Sequence, residues 1–496
     1  MLVRCTHKYF TKSKLMMLKF SEKEKDILKP VYNFALAKKV KLFLVGGALR
    51  DLILKRTKVN PDFDFCLKKG ALTFGRRLAQ EIRAAFVVLD EEHAACRLVK
   101  KIDGQVYTFD LSDFRAETLE RDLLHRDFTI NSLALELKHV FTGQDLEELI
   151  IDPNSGRGDI KRKVIKVTSK DSFSEDPLRI LRAFSLSCIL KFNLDRETLA
   201  LSKKERNKIS GVSAERVREE LFKILDSGSA YDSLVILDRL KILEIIFPEI
   251  KPMRKIGQGP HHHLDVWQHT LETLNQFELI LKSVKREEIN SYLNEEVSGL
   301  RKRSSLLKLA CILHDVGKPK ALRREKGKII FHGHERVGLG LTRVICRRLK
   351  LSNEECRCLE RIVLWHLRPG YLASSKRPTQ RAIFRYFRDT GSDALAVLLL
   401  SLADQRATKG PLATALSRVC HERTVKALIN KLLKKNSEIK PMRFLNGNDL
   451  MNKFKLAASP LIGKVLSRLE ESQAIGMIKN KKEALSLAAK IIKQQK

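Results

Sequence analysis

The stretch LVGGALRD at residues 44–51, followed by PDFDF at residues 61–65, decides the fold of this chain. Apolar, β-favouring residues before the glycine pair predict a short strand that ends in a turn. Gly46 and Gly47 lack a Cβ atom, so the backbone can approach a ligand and present its N–H groups to the oxygens of a triphosphate. Arg50 adds a positive charge there. The first stretch therefore predicts a phosphate-binding turn.

The two aspartates of the second stretch are two residues apart, which places both on one face of a strand. If Phe63 and Phe65 bury the opposite face, Asp62 and Asp64 project together and can share two Mg²⁺ ions. Two such metals stabilise both the attacking hydroxyl and the leaving pyrophosphate of an in-line displacement. A glycine pair alone is commonly a turn, and two spaced aspartates alone are often solvated. Together, in this order, they predict two-metal nucleotidyl transfer with both aspartates as catalytic residues.

The size and charge of the chain restrict its class. Its 496 residues exceed one ordinary core and predict roughly three or four domains. A formal net charge of +36 favours a polyanionic partner, and an aromatic content of 6% favours structured RNA over a stacked single strand. The alternative is a lysine-rich surface that only keeps the chain in solution. Nine cysteines without regular CxxC pairs predict a reducing compartment.

Strand and helix patterns alternate from about residue 25 to residue 140, and amphipathic helical spacing dominates afterwards. We therefore expect an α+β fold: a mixed α/β head followed by an all-helical neck, a second domain and a tail. The breaker cluster GQGP at residues 257–260 marks a boundary. The expected segments are a basic N-terminal extension (1–24), the head (25–140), a helical neck and RNA-binding region (141–256), a metal-dependent phosphohydrolase-like domain (257–410) and a helical tail (411–496).

Apolar runs are too short for the roughly 20 residues of a membrane span, so we expect no membrane partner and a cytoplasmic protein. The first twenty residues carry lysines and no acidic residue. We expect a disordered or wrongly assigned start there rather than a transit peptide. The oligomeric state is not predicted.

The stretch DLLHRDFTIN at residues 122–131 carries a second set of candidate residues. Arg126 is expected to contact a phosphate, and Asp127 to accept a hydrogen bond from a ribose hydroxyl, which would select ribonucleotides. Asn131 completes this nucleotide-binding set. The alternative is a helix N-cap formed by Asp127, Thr129 or Asn131.

The stretch SEDPLRILR at residues 174–182 predicts a helix start with proline in the first turn, and capping alone could explain it. Asp176 and Arg179 are three residues apart and share a helix face. There the carboxylate can accept from an exocyclic amine while the guanidinium donates to the adjacent ring acceptor. Cytosine and adenine present that edge, whereas uracil and guanine do not. The pair therefore predicts a protein template for C and A, with Arg182 one turn closer to the phosphates.

The second half of the chain carries a separate candidate metal centre. Its residues are His269, His314 and Asp315 in an apolar helix, and Asp404 in another. Two imidazoles and two carboxylates suit a divalent metal such as Mn²⁺, Mg²⁺ or Ni²⁺, whose bound water becomes the nucleophile. The alternative is a degenerate domain that is retained as an RNA-binding scaffold.

Two further histidines, His334 and His366, could extend this centre to a second metal. The three consecutive histidines at residues 261–263 are interpreted as a polar loop before a helix and not as ligands.

The order of the head and neck motifs resembles the bacterial-type family of tRNA CCA-adding nucleotidyltransferases and poly(A) polymerases, over roughly residues 30–250. The resemblance implies a polymerase β-like palm in which Asp62 and Asp64 bind the catalytic metals and Asp127 meets the ribose. It also implies that Asp176 and Arg179 recognise the incoming base. The second half resembles the HD phosphohydrolase superfamily through its His, His-Asp and Asp residues.

Two positions depart from the family pattern. His125 stands where the family has the first arginine of Arg-Arg-Asp, and Lys55 with Arg56 replaces a common glycine. The first change could weaken a phosphate contact. By the same resemblance, Asp110 is a further acid of less certain role, and residues 89–97 occupy the place of a mobile loop that helps to switch from C to A addition.

These motifs predict a template-independent RNA nucleotidyltransferase that uses CTP and ATP to add C and A to the 3′ end of tRNA, with release of pyrophosphate. It would add all of CCA, or only CC or A, since some bacteria divide the work between two enzymes. The HD domain would add a phosphohydrolase activity. The alternatives are a poly(A) polymerase, or an HD-domain phosphohydrolase with a degenerate head. A non-catalytic RNA-binding protein is the least favoured.

Overall fold

The structure is a computed structural model that describes residues 17–57, 61–299, 301–374, 378–435 and 443–494. Residues 1–16 of the predicted basic N-terminal extension therefore lie outside the described residues. Contacts between Cα atoms divide the chain into two compact units, Met1–Val212 and Ser213–Lys496. The five expected domain segments stay a prediction.

The first unit combines a sheet with helices, and its elements alternate along the chain. Its helices are α1 (Glu22–Ala37), α2 (Gly47–Ile53), α3 (Ala71–Glu81), α4 (Leu119–Leu124), α5 (Gly156–Arg162), α6 (Ser172–Glu175), α7 (Leu178–Leu190) and α8 (Arg196–Glu205). Its strands are β1 (Phe43–Val45), β2 (Asp62–Leu67), β3 (Ala85–Asp90), β4 (Ala95–Ile102), β5 (Gln105–Asp113), β6 (Ala134–Glu136), β7 (Val164–Ile165) and β8 (Asn193–Leu194).

Six strands form one mixed sheet in the order β3-β4-β5-β2-β1-β6. Strands β2 and β5 are parallel, and the other neighbours in this sheet are antiparallel. Helix α3 packs against β3, β4 and β5 and covers one face. Phe63 of β2 stacks on Phe109 of β5 with ring centroids 6.0 Å apart, so aromatic packing joins the two parallel strands. The predicted mixed α/β head is confirmed.

The second unit is mostly helical, as predicted. Its helices are α9 (Ala214–Asp226), α10 (Ala230–Arg239), α11 (Leu243–Ile246), α12 (Ile250–Met253), α13 (Val266–Ser283), α14 (Glu287–Asn294), α15 (Arg303–Leu313), α16 (Lys318–Ala321), α17 (His334–Arg348), α18 (Asn353–Trp365), α19 (Arg368–Ser374), α20 (Gln380–Thr390), α21 (Ala394–Ala407), α22 (Ala415–Lys435), α23 (Gly447–Phe454), α24 (Pro460–Ala474) and α25 (Lys481–Lys493). Its short strands are β9 (Glu296–Val297), β10 (Arg301–Lys302), β11 (Arg323–Glu325) and β12 (Lys328–Ile330).

Helix α15 lies at the centre of the second unit and packs against α9, α13, α18 and α21. Its residues from Leu306 onward are apolar except Lys308, and all residues of the helix but Ser304 are buried. A helix that is buried on all sides belongs in a core. Helices α23, α24 and α25 form a separate apolar cluster around Leu450, Val465 and Ala488.

None of the helices among the described residues is both long and apolar enough to cross a membrane.

We predict that Gly156 is required for the packing of α5 in the first unit. A Cβ atom at this position would lie 2.1 Å from the carbonyl oxygen of Thr129. The Gly156→Ala change should therefore reduce the free energy of unfolding by about 2 kcal/mol, the usual cost of overpacking. Thermal unfolding followed by circular dichroism measures this effect.

Gly158, in the same helix, is the matched control. A Cβ atom there would meet only the Arg162 guanidinium, at 3.5 Å. Gly158→Ala should leave the Tm unchanged or raise it slightly, because alanine favours helix over glycine by up to about 1 kcal/mol. Equal Tm values for the two variants would contradict the packing argument.

Candidate functional site

The two candidate catalytic aspartates lie on one face of β2. Phe63 and Phe65 are each 1% exposed and point into the core, so Asp62 and Asp64 point to the opposite face. In the parallel register with β5, Asp62 pairs with Thr108 and accepts a hydrogen bond from its hydroxyl. Asp62 is exposed and Asp64 is half-buried. Both carboxylates therefore face a surface that a hard divalent cation can reach.

The glycine turn lies directly beside these carboxylates. Val45, the last residue of β1, pairs with Asp64. Gly46 follows with a φ of +74°, and a Cβ atom on it would lie 3.1 Å from Oδ2 of Asp64. Both the backbone angle and the close approach require glycine at this position. The structure thus brings the predicted phosphate-binding turn and the predicted metal ligands together.

A third carboxylate, Asp110, stands opposite Asp64 in the register between β2 and β5. Arg97 of β4 donates to both of its oxygens, with Nε–Oδ1 and Nη2–Oδ2 distances of 2.8 Å. This hydrogen bonding, together with the charges of Asp110, Asp62 and Asp64, raises the pKa of Arg97 above its ordinary value. The negative charge of Asp110 is therefore paired with the positive charge of Arg97.

The sequence analysis named Asp110 and the region that ends at Arg97, but it did not pair them. The sequence signal for the pairing is the dipeptide Asp103-Gly104, which favours a two-residue type I′ hairpin turn. In the structure both residues have the positive φ that such a turn requires, 48° and 79°. Such a turn sets the register of β4 on β5 and places Arg97 opposite Asp110.

Arg50 and Asn131 form a polar chain behind the glycine turn. The buried Arg50 guanidinium donates from Nη1 to Oδ1 of Asn131 at 2.6 Å and from Nε and Nη2 to Oδ1 of Asp51 at 3.0 and 2.9 Å. Nδ2 of Asn131 then donates to Oδ1 of Asp127 at 3.1 Å. Three of the predicted nucleotide-binding residues are thus in one network.

Asp127 is buried, and Oδ2 of its carboxylate also accepts a hydrogen bond from Nη1 of Arg182 at 3.3 Å. Burial alone would raise the pKa of Asp127, but the Arg182 charge and the Asn131 hydrogen bond hold it below its usual value. The helical turn at Thr129–Asn131 has Phe128 as its N-cap and receives no side-chain cap. The structure therefore does not support the alternative interpretation of this motif, in which the side chain of Asp127, Thr129 or Asn131 caps a helix.

Arg126 lies beneath the glycine turn. Its Nη2 donates to Oδ2 of Asp122 at 3.3 Å. Burial would lower the pKa of Arg126, but the charges of Asp122 and Asp64 raise it. The Cys66 thiol stays protonated because burial raises its pKa to about 12. Arg126 thus supplies a permanent positive charge near Asp64.

The predicted base-recognition residues lie where α6 meets α7. The buried Arg179 guanidinium donates from Nη1 to Oε2 of Glu175 at 3.1 Å and to the carbonyl oxygen of Ser172 at 3.1 Å. Its Nη2 donates to the carbonyl oxygen of His125 at 2.8 Å. Asp176 accepts from the backbone N–H of Leu178 at 3.2 Å. Recognition of a base by Asp176 and Arg179 stays a prediction.

Glu175 was not among the predicted site residues. It joins Arg179 to His125, whose Nδ1 lies 3.0 Å from Oε1 of Glu175. The histidine that departs from the family pattern is therefore held in the same polar cluster as Arg179.

The structure assembles all six predicted ligands of the HD domain into one buried cluster. His269 lies on α13, Asp404 on α21, and His334 begins α17. The other members, which follow α15 and α18, are His314, Asp315 and His366. Two groups of possible ligand atoms each lie within 4.8 Å of one another: His269, His314 and Asp404, and Asp315, His334 and His366.

Asp315 connects the two groups. Its Oδ2 lies 3.1 Å from Nε2 of His314 and 3.8 Å from Nε2 of His269. Its Oδ1 lies 3.4 Å from Nε2 of His334 and 3.9 Å from Nε2 of His366. In the first group, Nε2 of His269 lies 2.8 Å from Oδ1 of Asp404. A carboxylate that faces four imidazoles is placed to bridge two metal ions.

Backbone carbonyls orient three of these rings. Nδ1 of His314, His334 and His366 lies 2.9, 2.9 and 2.6 Å from the carbonyl oxygens of Cys311, Phe331 and Val363 respectively. With an Nδ1–H donor at each contact, Nε2 of each ring would be the atom that binds metal, as in metal-binding histidines. Burial, followed by the charges of His314 and His334, lowers the pKa of His366 to about 3. The donor set therefore fits a divalent metal.

Two residues outside the predicted set touch this cluster. Lys318 places Nζ 2.6 Å from Oδ2 of Asp315 and donates to Oε1 of Gln258 at 2.6 Å. The ring of His262 packs against His269 with centroids 4.8 Å apart. Burial, then the charges of His269 and Lys318, lowers the pKa of His262 to about 4. The sequence analysis treated His262 as part of a loop.

The chain matches four family descriptions along its length. They are "Poly A polymerase head domain" at residues 42–166, "Probable RNA and SrmB- binding site of polymerase A" at 191–254, "HD domain" at 266–408 and "tRNA nucleotidyltransferase domain 2 putative" at 341–489. The predicted resemblance to these head and HD families is confirmed.

Among curated proteins, the chain is 32% identical to an A-adding tRNA nucleotidyltransferase of Deinococcus radiodurans, over 89% of this chain and 93% of the relative. It is 30% identical to a CC-adding tRNA nucleotidyltransferase of Thermus thermophilus, over 89% and 92%. A Multifunctional CCA protein of Shewanella frigidimarina is 29% identical over 64% and 71%.

Among solved structures, the fold is similar to a Thermotoga maritima CCA-adding enzyme complexed with tRNA, with a TM-score of 0.62 and 18% identity over 96% of this chain and 97% of that one. It is also similar to a CCA-adding enzyme in complex with CTP, with a TM-score of 0.63 and 18% identity over 95% and 96%. These likenesses establish the fold.

We predict that the HD cluster binds metal tightly and that His334 is one of its ligands. After incubation with Mn²⁺ and gel filtration, metal analysis of the His334→Ala variant should show about one ion per chain fewer than the unchanged protein, since its group retains only two ligands. His332→Ala is the matched control, because His332 is exposed and lies outside both groups. The same loss in both variants would contradict the assignment.

Proposed function

The chain belongs to the family of tRNA nucleotidyltransferases, and we propose that it adds C and A nucleotides to the 3′ end of tRNA, using CTP and ATP and releasing pyrophosphate. The observation that carries this proposal is the position of Asp62 and Asp64 beside the Gly46 turn. The Gly46 backbone, which would bind phosphate, lies within contact distance of Asp64, which would bind metal together with Asp62. No covalent intermediate is needed, because positioning and charge suffice for phosphoryl transfer.

Asp62 and Asp64 would hold Mg²⁺, because carboxylate oxygens in an open site suit this hard cation. When bound, the metal pair stabilises the attacking and leaving oxygens. Arg126 and the Gly46–Gly47 backbone would balance the charge of the triphosphate.

Asp127 would accept a hydrogen bond from a hydroxyl group of the ribose. Arg182 and Asn131 hold the pKa of its buried carboxyl below the usual value, and Asn131 also orients it, so the ionised form would be the acceptor. Arg179 and Asp176 would present a donor and an acceptor to the base. Glu175 and His125 hold the Arg179 guanidinium, and we assign them a positioning role.

The test is incorporation of labelled CTP and ATP, separately and together, into a tRNA that lacks its last three residues and into a tRNA that ends in CC. Three additions that stop would establish a full CCA enzyme. Two C additions, or A addition only to the CC-ended tRNA, would establish the narrower activities of the CC-adding and A-adding relatives. Long A tails would instead identify a poly(A) polymerase.

We predict that Asp62→Asn and Asp64→Asn each reduce incorporation by roughly three orders of magnitude, because each removes an anionic metal ligand worth several kcal/mol in the transition state. Single-turnover incorporation at saturating nucleotide measures the loss. Asp103→Asn is the control, since Asp103 is exposed in the turn between β4 and β5 and asparagine tolerates its φ of 48°. Activity of the Asp64→Asn variant within tenfold of the unchanged chain would refute the catalytic role.

A second activity is favoured by the six-residue cluster of the HD domain. We propose that this cluster holds divalent metal, such as Mn²⁺, Mg²⁺ or Ni²⁺, and hydrolyses a phosphate ester. Asp315 is buried, and burial lowers the pKa of His366 to about 3, so His366 offers its ligand nitrogen without a competing proton. Bound metal would supply a water molecule of lowered pKa.

We predict that the two activities separate by mutation. The double variant Asp62→Asn/Asp64→Asn should lose incorporation and keep metal-dependent hydrolysis of a phosphodiester such as bis(p-nitrophenyl) phosphate. The variant His314→Ala should do the opposite, because its ring belongs only to the HD cluster. Loss of both activities in either variant, with an unchanged circular dichroism spectrum, would show that the sites are not independent.

A further inference from the structure

The guanidinium of Arg97 presents an edge that the protein itself does not use. Nε and Nη2 donate to Oδ1 and Oδ2 of Asp110, at 2.8 Å each. Nη1 has no hydrogen-bond acceptor among the described residues of the chain. The Arg97 side chain is 44% exposed, although it forms this two-point contact. A guanidinium is a rigid fork of five N–H donors, so Asp110 fixes its orientation and leaves Nη1 for another anion.

Arg97 and the glycine turn lie on opposite sides of β2. Strands β5 and β4 follow β2 in one direction across the sheet, and β1 follows it in the other. Asp64 pairs with Asp110 of β5, which pairs with Arg97 of β4. Arg97 is therefore two strand spacings, or roughly 10 Å, from Asp64. On the other side, Gly46 directly follows Val45, which pairs with Asp64.

This arrangement places the two ends of the proposed reaction on different sides of β2. In nucleotidyl transfer the attacking and leaving oxygens lie roughly in line through the phosphorus, and hence on opposite sides of it. If the glycine turn holds the triphosphate, as proposed above, the pyrophosphate leaves on the β1 side. The 3′-hydroxyl of the tRNA then approaches over β5 and β4. The phosphodiester that precedes this hydroxyl is one sugar away from it, on the side of Arg97.

The sheet face around Arg97 is open. Val87 of β3 pairs with Arg97 and is 49% exposed, and Val106 of β5 is 42% exposed. Side chains alternate along a strand, so Val106 shares its face with Thr108 and Asp110. The face beside Asp110 therefore has room for the last nucleotide of a tRNA.

Stability does not explain the exposed position of Arg97, because an ion pair at the surface contributes little to the free energy of folding. Neutralisation of the acidic face is another explanation, since the charges of Asp62 and Asp64 also raise the pKa of Arg97. Metal ions bound during the reaction would neutralise these two carboxylates. A phosphodiester on the β4 side would still need a cation there.

We propose that Nη1 of Arg97 binds the last phosphodiester of the tRNA, which precedes the attacking 3′-hydroxyl, while Asp110 holds the guanidinium in place. Arg97 is then a tRNA-binding residue of the head, and Asp110 positions it. This inference rests on the nucleotidyl transfer proposed above. It predicts that Arg97 affects the tRNA substrate and leaves the binding of CTP or ATP unchanged.

The first test measures KM for tRNA and KM for the nucleotide separately, in the full-length chain with Mg²⁺ and the tRNA end that the unchanged protein extends. Arg97→Gln should raise KM for tRNA about tenfold, because it removes a charge-assisted hydrogen bond, and should change KM for the nucleotide less than about twofold. Arg97→Lys should recover part of the loss, since lysine keeps the charge but cannot hold Asp110 and a phosphate together. An increase only in KM for the nucleotide would overturn the proposal.

A neutral linkage identifies the phosphate itself. The substrate is a tRNA in which only the last phosphodiester is replaced by a methylphosphonate. With the unchanged protein this replacement should raise KM for tRNA about tenfold. With Arg97→Gln it should raise KM less than about twofold further, because two changes that remove the same contact do not add. Equal effects in the two proteins, or no effect in the unchanged protein, would contradict the contact.

A methylphosphonate several linkages earlier in the tRNA is the substrate control, and its effect should be the same in both proteins. Lys100→Gln is the protein control, because it removes one positive charge from the same strand. Lys100 is on the face of β4 that carries the fully buried Leu98, opposite to the face of Arg97. This variant should keep both KM values within about twofold of the unchanged protein. A loss equal to that of Arg97→Gln would show that net charge is responsible, and the proposal would fail.

Failure of the proposed function gives a different result. An unchanged chain that incorporates neither nucleotide into any of the tRNA substrates would remove nucleotidyl transfer and this inference with it. Normal incorporation that Arg97→Gln does not alter, or that it lowers only through kcat with KM for tRNA unchanged, would overturn the inference alone.

Discussion

The position of β2 between β1 and β5 determines the arrangement of the head site. Burial of Phe63 and Phe65 forces Asp62 and Asp64 onto the other face, because side chains alternate along a strand. Neighbouring strands are about 4.8 Å apart. The glycine turn at the end of β1 and the carboxylate of Asp110 on β5 must therefore lie within one strand spacing of Asp64. The hydrophobic burial of two aromatic rings thus brings the glycine turn, Asp64 and Asp110 together.

Features with a local period were predicted from the sequence, whereas features that depend on register or on distant packing were missed. The alternation of β2 and its two aspartates follow from residues next to each other. The ion pair of Arg97 with Asp110 depends on the register of β4 on β5, which a turn at Asp103 sets. His262 could not be placed beside His269 from the sequence, because the loop around it is held by distant contacts. One of them is the hydrogen bond from the backbone N–H of Gly410 to the carbonyl oxygen of His261, at 2.8 Å.

His125, which departs from the expected family pattern, is held by contacts with neighbouring residues. A histidine is shorter than the arginine that the family has there, and its ring reaches Glu175 at 3.0 Å. Glu175 in turn holds the guanidinium of Arg179. Because this guanidinium is buried, it needs an anionic partner and several acceptors, and the carbonyl oxygen of His125 is one of them. The backbone at His125 therefore contributes an acceptor to the cluster whatever its side chain is.

The HD centre is assembled differently from the head site, because its predicted ligands come from helices that are far apart in sequence. Asp315 is buried, and burial would raise its pKa, but the charges of His314 and Lys318 hold it well below its usual value. Asp404 is likewise held below its usual pKa against the effect of burial, by His269 and His314. A buried and a half-buried carboxylate that remain ionised are stable only where cations or strong donors surround them. A metal ion bound there would join α13, α17 and α21 and stabilise the folded domain through its binding free energy. The predicted ligand set is therefore also part of the core of this domain.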